Sequence, residues 1–410
     1  MPAPQTPLAD QVDSLPESRV RHPQARDIAV WISLLVATLT MASVAVSTSD
    51  VVGPSTLPWW PAQNLSLHVT AGMFIAPMTA AAVLIAASRP AAARMSWGSL
   101  LVSSYLASLT WAGSLHTNVD TTITPTDTPG AARAMDQLVA LSGSQAGLAI
   151  TVTAVSSLAV PFSLIAIRSV CGPLAARAIA PVMILGPWAA WTTLGLDGIS
   201  AAACAAALAS GAVASERRVR GFDAFWGAVA TGGLLAVAVL LSYGAAWFAV
   251  SLLLLYFARR RPVHILNTAA AALAVLAVAA TFGSSWPHGL IDTYNASIGE
   301  VASHPGQLWW LLLMPALVTV ACGPAVVESL RRIGSSSAWP LMAGPLLALM
   351  LAPLSGNSLE RPEYGWVALC PWLVVAATAP SKERGGRSVR VPLMTAAAGA
   401  CAAIVLMYSG

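Results

Sequence analysis

"RRVRGFDAFWGAVATGGLLAVAVLLSYGAAWFAVSLLLLYFARRR", residues 217–261, encloses an apolar run of 37 residues, Phe222 to Ala258, between two arginine clusters. A helix that crosses the hydrocarbon core needs roughly 17–25 residues, so the run is too long for one crossing and barely enough for two. Charge decides between them. A single crossing would leave Arg217, Arg218 and Arg220 on one side and Arg259, Arg260 and Arg261 on the other. A tight turn at Ser242-Tyr243-Gly244 keeps both clusters together, as the bias of short basic loops toward the cytoplasm requires. The stretch therefore reads as a helical hairpin, and the chain as a polytopic membrane protein.

The composition points the same way. Of 410 residues, 57% are hydrophobic and 9% charged, with a mean hydropathy of +0.71. No ordinary soluble domain keeps such a chain in water. The net charge of +4 and pI near 9.0 would suggest nucleic acid in a soluble protein. Here the basic residues stand in short loops between apolar runs, so topology explains them and no nucleic-acid partner is expected. All but Lys382 are Arg, and Ala is abundant, which fits a GC-rich bacterial genome. Cys171, Cys204, Cys322, Cys370 and Cys401 are scattered singly without a CxxC, so neither disulfide nor metal is expected from them.

The expected fold is all-α, with about thirteen transmembrane helices near 28–48, 66–88, 97–115, 146–168, 174–192, 198–215, 222–241, 244–258, 265–283, 307–330, 338–354, 364–380 and 391–408. Residues 1–27 are polar and mixed in charge and read as a disordered cytoplasmic tail; 28–410 form one transmembrane domain. With this set, every basic residue except Arg133 and Arg361 falls on the side of the N-terminus, which is therefore cytoplasmic. The outer loops are 49–65, 116–145, 284–306 and 355–363. The small-residue stretch "GISAAACAAALASGAVAS" (198–215) reads as a helix-packing face.

Ionisable residues gather on the outside: Asp50, Asp120, Asp127, Asp136, Asp197, Asp292, Glu300, Glu360 and Glu363, with His68, His116, His288 and His304. Charge is nearly absent from mid-span, which counts against an ion-coupled pump. Chemistry at the outer surface has neither ATP nor nucleotide sugars, so its donor must arrive attached to lipid, or the reaction must be a hydrolysis. Arg361, between Glu360 and Glu363 in "SGNSLERPEYGW" (355–366), is a guanidinium fork able to meet a lipid phosphate. The plainer alternative is a local ion pair on a solvated loop. Asp50, directly after the first span, could act as a base or simply occupy a turn. His116 and Asp120, and again His288 and Asp292, stand four apart, a spacing that on a helix could hold a metal or form a base pair. Thr and Pro enrichment after His116 argues against a helix there.

Four segments in the second half of the chain, taken in order, resemble actinobacterial GT-C membrane glycosyltransferases, in particular the methylthioxylose transferase-like group and its mannosyl- and arabinosyltransferase relatives. They are "ARAIAPVMILGPWAAWTTLGLDGISAAACAAALASG" (177–211), "LLAVAVLLSYGAAWFAVSLLLLYFARRR" (234–261), "WPHGLIDTYNASIGEVASHPGQLWWLLLMPALVTVACGPAV" (286–326) and "SLERPEYGWVALCPWLVVAA" (358–377). The resemblance implies sugar transfer from a polyprenyl-phosphate donor to a cell-envelope glycan or glycolipid acceptor, at the outer face of the bacterial plasma membrane. It implies Asp50 as base and Arg361 as the contact stabilising the departing lipid phosphate, with Glu360, Asp197, Asp292 and His288 in substrate binding. The lipid-linked sugar is the substrate, and the need for a divalent metal is left open. The N-terminal half departs from the family: only "DTPGA" (127–131) stands where a His-Pro-Pro-Gly-like element belongs, and the tandem acidic pair is reduced to Asp50. A catalytically inactive scaffold in envelope assembly, or a transporter of a lipid-linked precursor, are the alternatives.

Overall fold

A computed structural model describes residues 25–49, 71–116, 129–192, 195–303, 309–355, 368–378 and 390–408. Among the described residues the fold is all-α, without a strand. In chain order the helices are α1 (Ala25–Ser49), α2 (Gly72–Ser88), α3 (Pro90–Arg94), α4 (Trp97–His116), α5 (Pro129–Ser142), α6 (Gln145–Ser156), α7 (Ala159–Cys171), α8 (Pro173–Ile184), α9 (Asp197–Ala214), α10 (Gly221–Leu241), α11 (Phe248–Ala258), α12 (Pro262–Thr281), α13 (Trp286–Ser303), α14 (Trp310–Cys322), α15 (Ala325–Arg332), α16 (Trp339–Ser355), α17 (Cys370–Leu373) and α18 (Arg390–Tyr408). Five helical stretches are long and apolar enough to cross a membrane: Arg26–Ala45, Ala146–Cys171, Asp197–Ala214, Gly221–Leu241 and Pro262–Thr281. The chain has the make-up of an all-α membrane protein.

The hairpin of 217–261 forms as its charges require. α10 ends at Leu241, Ser242 is extended, and a 3-10 turn over Tyr243–Trp247 leads into α11. Arg261 Nη2 then donates to the Glu216 carbonyl at 3.2 Å, so the chain has returned to the end at which it started.

α9 is the central helix. Within the bundle 83% of residues 197–214 are buried, against 11% of 262–281 on α12. Its small side chains allow close approach: a Cβ on Gly211 would meet Leu252 and Tyr256 of α11, and one on Gly227 would meet Ala214. Hydrogen bonds cross these contacts. The Ser200 hydroxyl donates to the Ala238 carbonyl at 3.0 Å and that of Ser210 to the Gly227 carbonyl at 2.9 Å, both from α9 to α10. α12 joins α10 in the same manner, the Thr268 hydroxyl donating to the Ala228 carbonyl at 3.1 Å. In an apolar solvent such contacts, rather than hydrophobic burial, drive helix association.

Several expected spans are broken. The helix expected over 146–168 is found as one stretch, Ala146–Cys171, interrupted only by a turn at Ser157-Leu158, because Pro161 has no N–H to offer the Ser157 carbonyl. The one expected over 174–192 stops at Ile184 and continues as a 3-10 turn over Pro187–Ala190. The run 307–330 breaks at Gly323, whose φ of +72° suits glycine alone, and restarts as α15. Within 364–380, residues 368–378 form only α17 and a 3-10 turn over Val375–Ala377. All of 368–378, and all of 181–191, are buried. Irregular backbone at membrane depth is tolerated where protein surrounds it. The expected outer loops 116–145 and 284–306 carry α5 and α13.

Candidate functional site

The two ends of the bundle differ in charge. At one end, arginines close the C-termini of helices. Arg259 donates to the Ser169 carbonyl at 2.6 Å, to the Ser215 hydroxyl at 2.9 Å and to the Ala212 carbonyl, tying α11 to the last turns of α7 and α9. Burial draws its pKa below the ordinary arginine value, and the charge of Glu216 opposes that shift; the guanidinium stays protonated at neutral pH. His264 Nε2 donates to the Ala214 carbonyl at 3.1 Å. Arg177 donates to the carbonyls of Ala92 and Met95 at 3.2 and 2.7 Å, and Arg168 lies 4.5 Å over the Trp97 ring. Arg259 and Arg177 thereby meet the C-terminal ends of helices, where the dipole is negative and carbonyls lack intrahelical partners.

The same end holds a buried ion network. Glu328, fully buried, accepts a hydrogen bond from Arg331 and forms an ion pair with Arg332, and Arg331 also lies 3.5 Å from the buried Asp27 of α1. Thus Arg26, Arg89, Arg94, Arg168, Arg177, the 217–220 and 259–261 groups, Arg331 and Arg332 all belong to one end. Arg133 is on α5, at the other.

That other end carries Asp136, Asp197 and Asp292, whereas Asp27, Glu216, Asp223 and Glu328 lie among the arginines. α5 covers a small apolar cluster in which Leu196, Leu148, Val152 and Leu241 meet, with Leu138 against them. Asp136 on α5 is exposed. Asp197, 4% exposed, opens the first turn of α9, where the helix dipole favours a carboxylate. The Tyr243 ring lies 5.9 Å from that of Trp286, which places the start of α13 at this end too. His288 and Asp292 share a face of α13 and are both exposed; His288 Nδ1 is 2.8 Å from the Ser285 hydroxyl. The structure therefore gathers Asp197, His288 and Asp292 at one end but buries the first and exposes the other two. Asp50, Glu360 and Arg361 lie outside the described residues.

One feature went unread in the sequence. A cavity of about 20 Å³ lies where the α6–α7 break meets the two irregular segments, lined by Ser108, Ser156, Ser157, Ser163 and Thr192 with Met183, Trp188 and Pro371. A Cβ on Gly198 would collide with the Ser156 hydroxyl and the Thr192 carbonyl, so the start of α9 is packed directly against it. The signal was Ser157, four residues before Pro161 and preceded by Ser156, a helix break inside an apolar run. Among the described residues no three His, Cys, Asp or Glu side chains converge as a metal site would need.

Comparison with models of protein families, with curated proteins and with solved structures returns no match.

Proposed function

We propose that the chain is a multi-pass protein of the bacterial plasma membrane, with about thirteen crossings and a cytoplasmic N-terminus, that transfers a sugar from a polyprenyl-phosphate donor to a cell-envelope glycan or lipid-linked acceptor. The observation that carries this reading is the gathering of the helix-end arginines at one end of the bundle. Arginine ends of membrane helices face the cytoplasm, which turns Asp197, His288 and Asp292 outward, toward a compartment whose sugar donors are lipid-borne. In this reading Asp50 takes the proton of the acceptor hydroxyl, and Arg361 stabilises the negative charge on the departing lipid phosphate. Glu360, Asp197, Asp292 and His288 hold sugar hydroxyls.

The test is transfer by the purified protein in nanodiscs from a panel of radiolabelled polyprenyl-phosphate sugars, beside Asp50→Asn. Transfer that collapses in the variant supports both the activity and its base. A second reading, a scaffold without catalysis in envelope assembly, is favoured by the reduction of the expected tandem acidic pair to Asp50 alone. Binding of the donor lipid without transfer from any member of the panel would select it.

A further inference from the structure

The arginines that enclose the hairpin of 217–261 divide into two sets. Arg259 and Arg261 are held on backbone: Arg259 donates to the Ser169 carbonyl at 2.6 Å, and Arg261 Nη2 to the carbonyls of Glu216 and Arg217 at 3.2 and 3.5 Å. Arg218 pairs with Glu216 at 2.6 Å. Arg217, Arg220 and Arg260 are exposed, and none of the three meets a carboxylate among the described residues. The hold of Arg261 on the 216–217 turn brings them to one place.

Arg260 also stands at φ +56°, in the left-handed region. Its N–H donates to the Phe257 carbonyl at 3.0 Å and that of Arg261 to the Tyr256 carbonyl at 2.9 Å, the bonding by which a helix ends on a left-handed residue. Glycine takes that place without strain and arginine does not, so the backbone gives no reason for an arginine there. Below the guanidinium groups lies an aromatic face. Phe222, Phe225 and Trp226 are exposed on the first turns of α10, and the Trp226 ring lies 5.8 Å from that of Phe222 and 5.4 Å from that of Phe225. Trp226 is six residues past Arg220, about 9 Å along the helix axis, the scale of the headgroup layer between water and hydrocarbon.

We propose that this surface binds the phosphodiester headgroup of an anionic phospholipid, with Arg217, Arg220 and Arg260 around the phosphate and the α10 rings along the glycerol and upper acyl chains. Guanidinium forks match phosphate geometry, and basic clusters directly beside a membrane helix attract anionic lipid. The rings favour a lipid over a free anion, which would gain nothing from them. The inference does not rest on the transferase reading.

The test is binding of fluorescent phosphatidylglycerol to the full-length protein in neutral detergent, with phosphatidylcholine and inorganic phosphate as competitors and melting recorded alongside. Phosphatidylglycerol should be preferred to phosphatidylcholine, and less so as salt rises. Arg217→Gln, Arg220→Gln and Arg260→Gly should each weaken its binding roughly fivefold, the factor equal to about 1 kcal/mol per basic side chain at an anionic surface. Without lipid, Arg260→Gly should melt at or above the wild-type temperature, since it relieves the left-handed residue. Equal retention of the two lipids, or variants that bind as the wild type does, overturns the proposal. So does inorganic phosphate that competes as well as the lipid, which would make the site one for a free anion. A lower melting temperature for lipid-free Arg260→Gly overturns it too, because the side chain would then be structural. Lipid binding that falls as protein concentration rises would give the surface to a second copy of the chain instead.

Discussion

Arg259 Nη1 lies 2.9 Å from the Ser215 hydroxyl, so the last turn of α11 and the last turn of α9 end against each other. One guanidinium fork also reaches Ser169 at the end of α7. Three helices thus share one cation, and its loss should be felt in all of them. Arg259→Met is expected to cost roughly 1.5–3 kcal/mol, the range for losing hydrogen bonds to a charged group. Arg259→Lys should recover only part of that, because a single ammonium cannot span Ser169 and Ser215 together. Unfolding in mild detergent, followed by thermal melting, gives the order directly; equal stability of the lysine variant and the wild type would remove the fork from the explanation.

Glu328 makes a different kind of prediction. It is fully buried between Arg331 and Arg332, so Glu328→Ala removes the buried carboxylate that balances the Arg332 charge. Breaking such a pair costs roughly 3–5 kcal/mol. Replacing both Glu328 and Arg332 by Met should be milder than the single alanine, since Arg331 retains Asp27. A double variant less stable than Glu328→Ala would show that the ion pair itself, and not the unbalanced charge, holds α15 in place.

The hairpin of 217–261 and the packing role of α9 could be read from sequence because each rests on local information: run length against flanking charge, and small residues at regular intervals. The breaks could not. Residues 185–191 and 368–378 carry no charge, and only their surroundings, buried on all sides, let them leave the helix. Hydropathy reports what a segment can enter, not whether lipid or protein surrounds it there. The pairing of Asp27 with Arg331 was hidden for a related reason: it joins residues some three hundred positions apart, and no spacing rule reaches that far. Asp197 was singled out as an acidic residue in a segment resembling the transferases; its place in the first turn of α9 and its burial there depend on the packing of that turn against α6.

The gathering of the helix-end arginines at one end of the bundle predicts an accessibility pattern. In a cysteine-free background, Arg217→Cys and Arg260→Cys should be protected from a membrane-impermeant maleimide in intact cells, while Asp136→Cys and Asp292→Cys are labelled; all four positions are exposed. The reverse pattern would invert the orientation. Labelling of one arginine position without the other would break the hairpin itself.

Two adjacent glycines on α10 separate packing from helix propensity. A Cβ on Gly232 would lie 2.8 Å from the Ala271 Cβ and 3.0 Å from the Ala272 nitrogen of α12, whereas one on Gly233 meets nothing within 4 Å. Gly232→Ala must push two backbones apart and should cost roughly 1–3 kcal/mol. Gly233→Ala should be neutral or stabilise by up to about 1 kcal/mol. Thermal melting of the pair tests the α10–α12 contact, and similar shifts for both would mean that the helices do not approach so closely.

Arg361 and Glu363, both outside the described residues, distinguish a phosphate contact from a solvated ion pair. If Arg361 meets the lipid phosphate, Arg361→Ala removes a charge-assisted fork and should weaken donor binding and turnover far more than Glu363→Gln, which leaves the guanidinium in place. If the two are only partners on an exposed loop, either change breaks a weak interaction and both variants should behave alike. Comparing the two variants for retention of a polyprenyl-phosphate sugar on immobilised protein reads binding apart from chemistry. A deficit specific to Arg361→Ala would hold even for a scaffold that binds lipid without transferring sugar, so the result bears on the donor site whichever of the two readings survives.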